Sequence, residues 1–181
     1  MERLDINGIR QQQRQACEEA VCRYYKSIYL FLAYLTRETN LAEDLTQETF
    51  VSAWANIGNY KGQAEFGVWL HKIAYHKFID LKRRDRRRAD LMAMAQRERK
   101  DAATDSNPLH RLKIDEHFRI LYQAIGKLES AEYLVIVLHY IQGLSFREMA
   151  KVLDEAVGTT KWRTNKALKC LKGYLDGRVE L

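Results

Sequence analysis

Proline occurs once, at Pro108, and glycine nine times in 181 residues. Sandwiches and barrels turn often and place such residues at their turns, so this scarcity excludes them and leaves a mostly helical chain. No apolar run approaches the roughly 20 residues that span a bilayer. The polar opening "MERLDINGIRQQQRQ" is not a signal peptide, so the expected compartment is the cytoplasm. Cysteine is also scarce, with Cys17, Cys22 and Cys170 only. An odd count without a leader argues against a disulfide framework, and Cys17 and Cys22 do not have the CxxC spacing, so buried free thiols are expected. The chain lacks a GxSxG string, a glycine-rich phosphate loop and a paired-carboxylate setting. His71 and His76 turn away from each other on a helix, whereas zinc pairs sit at i, i+4. No cofactor, metal site, catalytic residue or small-molecule substrate is therefore expected.

What is present is charge and helical period. The chain is 46% hydrophobic, enough for a core, and 30% charged, with a formal net charge of +6. That balance suits a polyanionic partner. Apolar residues at Ala16, Ala20, Tyr24, Ile28, Phe31, Leu32 and Leu35 predict one long helix over 9–37. Asn40 is the expected N-cap of a second helix over 41–57. Its stripe is Leu41, Leu45, Phe50, Ala53, Trp54 and Ile57, and its other face carries Asp44, Gln47, Glu48 and Ser52. "GNYKGQAE" (58–65) reads as a loop. A third helix over 66–88 buries Phe66, Trp69, Leu70, Ile73, Ala74, Phe78 and Leu81 and ends in "KRRDRRR".

From 89 to 109 the period fades into charges and small polar residues, which read as a flexible linker. It separates a domain over 1–88 from one over 110–181. The second domain is expected to open with a helix over 109–128. "YLVIVLHYI" (133–141) has strand propensity, but nothing is there to pair with it, and Ser130 and Gly143 bracket it as N-cap and C′ glycine of a helix. Ser145 and Glu148 form a capping box ahead of an apolar run. A turn over 154–158 follows, with Thr159 as cap of a last helix reaching 175. The fold class is all-α, as two small helical domains.

Three surfaces could carry function. The last helix holds Lys161, Arg163, Lys166, Lys169 and Lys172 without an acid, with Thr159, Thr160, Trp162 and Asn165 near its start. A helix-turn-helix sets such residues against base edges and phosphates. A solvated basic face is the plainer alternative. Residues 71–88 set eight bases against Asp80 and Asp85, beside Asn59, Tyr60, Lys61, Phe66, Trp69 and Tyr75. Bases interleaved with rings suit single-stranded or distorted nucleic acid, although Phe66 and Trp69 also sit at core spacing. The face of Glu43, Asp44, Gln47 and Glu48 is either solvated or a dock for a basic protein. These residues alone leave open a dimeric duplex-binding regulator and an RNA- or protein-binding module.

"DLTQETF" (44–50), "FGVWLHKIA" (66–74) and the Asp80, Arg83, Arg84 ending resemble region 2 of the extracytoplasmic-function group of sigma-70-type RNA polymerase sigma factors. "LSFREMAKVLDEAVGTTKWRTNKALKCLK" (144–172) is similar to region 4 of that group, with "VGTTKWR" (157–163) standing for a VGTVKSR-like string. The likeness covers roughly 20–88 and 110–175. It implies a factor that binds core polymerase and directs it to promoters of a stress- or signal-responsive set of genes. Glu43, Asp44, Gln47, Glu48, Phe50 and Trp54 would dock on the polymerase clamp helices. Asn59, Tyr60, Lys61, Gly62, Trp69, Lys72, His76, Lys77, Arg83 and Arg84 would recognise and open the −10 promoter element, with a flipped base held by the loop. Ser145, Thr159, Thr160, Lys161, Trp162, Arg163, Asn165 and Lys166 would bind the −35 element, and the same region would contact the polymerase flap. Factors of this group are commonly held inactive by an anti-sigma factor, often membrane-bound. The chain departs from the pattern at "LDEAVG" (153–158), where LGIPVG-like strings are usual, at Trp162 in place of a small residue, and at His76 in place of asparagine.

Overall fold

The computed structural model describes residues 4–95 and 124–176. All regular structure in them is helical, and the chain divides into two compact units, Met1–Pro108 and Leu109–Leu181. The linker expected over 89–109 and the helix expected over 109–128 lie mostly outside the described residues.

The first unit is built from α1 (Ile6–Arg10), α2 (Arg14–Thr36), α3 (Thr39–Ala55), a 3-10 turn (Ile57–Asn59) and α4 (Phe66–Ala95). α2 packs on both α3 and α4, which also pack on each other, and α1 lies against α2. Their apolar stripes meet in a core of Ile28, Phe31, Leu32, Ala42, Leu45, Ala53, Leu70 and Ala74. Thr46, Thr49 and His71 are polar and buried in this unit, and each finds a partner in a backbone carbonyl four residues earlier in its own helix, 2.8 Å away for His71 Nδ1. The Thr46 hydroxyl donates to the Ala42 carbonyl at 2.6 Å and Thr49 to Leu45 at 2.7 Å.

The single helix expected over 9–37 is two. The chain breaks at Gln12, which adopts a left-handed φ of 54°. The break folds α1 back so that Ile9 is 1% exposed. Asp5 caps α1 through the Gly8 N–H at 2.9 Å. Asn40 is not a cap: α3 starts two residues earlier than expected, at Thr39 after Glu38. α4 continues to Ala95, seven residues into the expected linker, because "ADLMAMA" (89–95) is rich in helix formers. Cys22 is exposed rather than buried, while Cys17 and Cys170 are half-buried. Burial pushes the Cys17 thiol up from its ordinary pKa.

The second unit contains α5 (Ser130–Ile136), which widens into a π turn (Val137–Ile141), then α6 (Phe146–Leu153) and α7 (Val157–Asp176). The run from Leu134 to Leu138 is buried on every side, which explains its lack of period: α5 is the central helix, clad by α7 and leading into α6. Gly143 follows it at φ 71°, as a C′ glycine should. Ser130 is the first helical residue and not the cap, which is Glu129. The capping box at Ser145 is present: its hydroxyl accepts from the Glu148 N–H, and the Glu148 carboxylate accepts from the Ser145 N–H at 2.8 Å. α7 begins at Val157, so Thr159 lies inside its first turn.

Candidate nucleic-acid interface

Tyr60 organises the loop between the 3-10 turn and α4. Its ring is T-shaped to Phe66 at 5.3 Å and tilted against Trp69 at 5.2 Å. Its hydroxyl donates to the Ala64 carbonyl at 2.8 Å, closing the loop. Its own carbonyl accepts from Arg10 Nη2 at 2.7 Å. Tyr60 is 9% exposed, and burial raises its phenol pKa. The resemblance places Tyr60 on DNA, but its side chain holds the loop from within. Exposed at the tip are Lys61, Gly62 and Gln63, next to exposed Asn59. Gly62 takes φ +72°, which glycine reaches without strain.

The loop and the start of α4 share a surface, since Trp69 touches Tyr60. Farther along α4, Lys72 and Lys77 are half-buried and His76 is exposed. Lys77 lies 3.5 Å from Glu48 of α3. All residues from Lys82 to Arg88 are exposed. Arg83 lies 3.8 Å from Asp80. At about 1.5 Å per residue, Arg83 and Arg84 stand roughly 20 Å along the helix from Trp69, so they form a separate basic patch.

On α3, Glu43, Asp44, Gln47 and Glu48 are exposed as expected. Phe50 is not: at 6% exposure it stacks on Tyr25 and tilts against Trp54, whose ring in turn stacks on Phe66. Phe50 and half-buried Trp54 therefore support the acidic face from behind. Val51 was missed. It is 67% exposed and stands three and four residues after Glu48 and Gln47, on that same face. Its signal in the sequence was an apolar residue off the buried stripe.

In the second unit Glu155 turns inward. Its side chain is 14% exposed and accepts from Arg163 Nη1 at 2.6 Å and from the Thr160 hydroxyl at 2.8 Å. Its charge is thus neutralised within the turn. Thr160 is fully buried, and Arg163 is committed to the turn rather than turned to solvent. Lys166 Nζ lies 2.7 Å from buried Glu132 of α5 and 3.8 Å from Glu129. The hydrogen bond and charge of Glu132 raise the Lys166 pKa. The Ser145 hydroxyl is occupied by its cap. Left on the outside of α7 are Thr159, Lys161, Trp162, Asn165 and Lys169. Trp162 is 62% exposed, and the Lys166 ammonium lies 5.9 Å from its ring centre.

Among the described residues no group of three or more His, Cys, Asp or Glu could hold a metal ion, and no helix is long and apolar enough to cross a membrane.

Known proteins share this arrangement. The family model for Sigma-70 region 2 matches residues 20–88, and that for Sigma-70, region 4 matches 118–171. The chain is 30% identical over 159 residues to the RNA polymerase sigma factor YlaC of Bacillus subtilis (strain 168), a span covering 86% of this chain and 91% of YlaC. It is 27% identical over 155 residues to the ECF RNA polymerase sigma factor SigX of the same organism, covering 84% of this chain and 80% of SigX. The solved structure of the sigma factor RpoE in complex with the anti-sigma factor NepR from Bartonella quintana matches with a TM-score of 0.68 at 22% identity, over 91% of this chain and 98% of that one. This last likeness is one of fold.

Proposed function

The chain belongs to the extracytoplasmic-function group of sigma-70 RNA polymerase sigma factors, and from that membership we propose how its residues share the work. It directs core polymerase to promoters. The acidic face of α3, with Glu43, Asp44, Gln47, Glu48 and the added Val51, docks on the core enzyme. The tip Asn59, Lys61 and Gly62, with Trp69, Lys72 and His76, handles the −10 element. Arg83 and Arg84 hold backbone phosphate. Thr159, Lys161, Trp162 and Asn165 read the −35 element from the start of α7, whose free N–H groups favour phosphate.

The observation that carries this reading is the exposure of bases at three places, the loop tip, the far end of α4 and the start of α7, with acids gathered on α3. Opening DNA and holding a flipped base costs a few kcal/mol. A basic loop backed by rings lowers that cost, and a second grip upstream adds effective concentration. The polymerase performs the bond-making, so the chain acts without catalytic residues, in the cytoplasm where the polymerase is. A protein of the anti-sigma class keeps it idle until a signal arrives.

Run-off transcription with core polymerase on a promoter library tests the proposal. Specific open complexes should form only when both proteins are present, and the chain should co-purify with core enzyme. Tight binding to a palindromic duplex without polymerase would overturn the reading in favour of a dimeric regulator.

A further inference from the structure

We propose that Arg10 is a positioning residue for promoter opening: from α1 it holds the Tyr60 carbonyl and so fixes the shape in which the loop tip Lys61–Gln63 meets the −10 element. This rests on the reading of that loop as the −10 site. α1 lies before residues 20–88, so nothing in the region 2 match assigns it a role.

The anchor is well fixed. Ile9 is 1% exposed, and Gly8 is buried so closely that a Cβ there would stand 2.8 Å from the Ala16 Cβ and 2.5 Å from the Asp5 carboxylate. The Asp5 cap and the bond from Gln13 N–H to the Gly8 carbonyl, at 2.9 Å, close both ends of α1. From this base the guanidinium reaches a residue 50 positions away, at 2.7 Å. Its target is the carbonyl at which the 3-10 turn ends and the loop begins. A backbone group there has no helical partner, and an ionised donor is the stronger kind.

Tyr60 is then fixed from three sides. Its carbonyl is held by α1, its hydroxyl by Ala64 and its ring by Phe66 and Trp69. The three residues between Tyr60 and Ala64 are the exposed tip. A tip held open in one shape binds an unstacked base without first losing entropy, and this is where preorganisation helps. Loss of the Arg10 bond frees the start of the loop while leaving the α3 face and the second unit untouched.

The experiment uses reconstituted holoenzyme on a promoter found by the library screen. Permanganate reactivity of −10 thymines reads opening, while core affinity and closed-complex binding are measured in parallel. Arg10→Ala should slow opening about fivefold, with core affinity and closed-complex binding unchanged, and Arg10→Lys should restore most of the rate by supplying one donor to one carbonyl. Lys61→Ala, at the tip itself, should slow opening too. Wild-type opening by Arg10→Ala beside slow opening by Lys61→Ala overturns the brace and leaves the −10 reading standing. Normal opening by both variants removes the −10 reading and the brace with it. A parallel loss of core affinity, closed-complex binding and melting temperature in Arg10→Ala would make the residue a general stabiliser and also overturn the proposal.

Discussion

Glu155 sits where the turn after α6 meets α7, and its carboxylate serves two donors, Thr160 and Arg163. Removing a partner from a largely buried ion pair leaves the other charge uncompensated, whereas removing both does not. Arg163→Ala should therefore destabilise the second unit by about 2 kcal/mol, a figure reduced from the fully buried case because the pair is partly wetted. In a domain of this size that lowers its melting midpoint by roughly 10 °C, measured by calorimetry. The double variant with Glu155→Ala should recover part of the loss. A stable Arg163→Ala whose promoter binding has lost about one unit of salt slope would show instead that the guanidinium meets phosphate. Lys166 gives a pH counterpart. Its pKa is raised by Glu132, so the pairing stabilises the fold wherever Glu132 is ionised and the pH is below the ordinary lysine value, and it is lost as pH climbs through the raised one. Urea denaturation should show wild type and Lys166→Gln differing equally at pH 6 and pH 8 and converging only in strong alkali. These pairings were not legible in the sequence. Arg163 and Lys166 looked like unpaired bases because their acids stand 8 and 34 positions away, outside any helical period; the pairing depends on how α5, α6 and α7 pack.

At the scale of elements, local chemistry was readable wherever the signal itself was local. The box at Ser145 and Glu148 forms as its spacing implies, and Gly143 stops α5 with the positive φ that its type suits. The β-branched run is helix because its centre, 134–138, is surrounded, and the absence of any pairing strand pointed the same way. The break at Gln12 had no such signal: three glutamines are good helix formers, and the chain reverses there only because Ile9 gains a buried site. The caps expected of Asn40, Ser130 and Thr159 failed by one to three residues, since each helix takes an earlier start. The end of α4 was hidden for the opposite reason, in that propensity sustains a helix that no hydrophobic stripe marks. Ser145 is the element on which cap and site readings divide. Ser145→Ala should cost about 1 kcal/mol of stability by urea denaturation. Promoter affinity per folded molecule should not change, because the hydroxyl is already engaged by Glu148. A specific loss of −35 binding at full stability would return Ser145 to the DNA contacts.

For the molecule as a whole, the net charge of +6 matters less than its division. In the proposed division, acids on α3 meet a protein, and bases on α4 and α7 meet a polyanion. Each phosphate neutralised releases counterions and contributes about 0.9 to the slope of log affinity against log salt. Lys161→Ala and the pair Arg83→Ala, Arg84→Ala should therefore flatten the salt dependence of holoenzyme–promoter binding, by about one and up to about two units, while core affinity stays put. Asp44→Lys with Glu48→Lys should do the reverse. It lays positive charge on the face proposed to dock on core enzyme and should weaken core binding more than tenfold, an effect of about 1.4 kcal/mol or more. The salt slope of DNA binding by whatever holoenzyme still forms should remain that of wild type. Glu48 is also the partner of Lys77 at 3.5 Å, but that pair is partly exposed and long, so it is worth little and the circular dichroism melt should shift by only a few degrees. The separation is what the surface map requires. If reversing the α3 acids altered the DNA salt slope and left core binding intact, the acidic face would belong to the promoter interface, and the division of charge between protein and polyanion would be wrong.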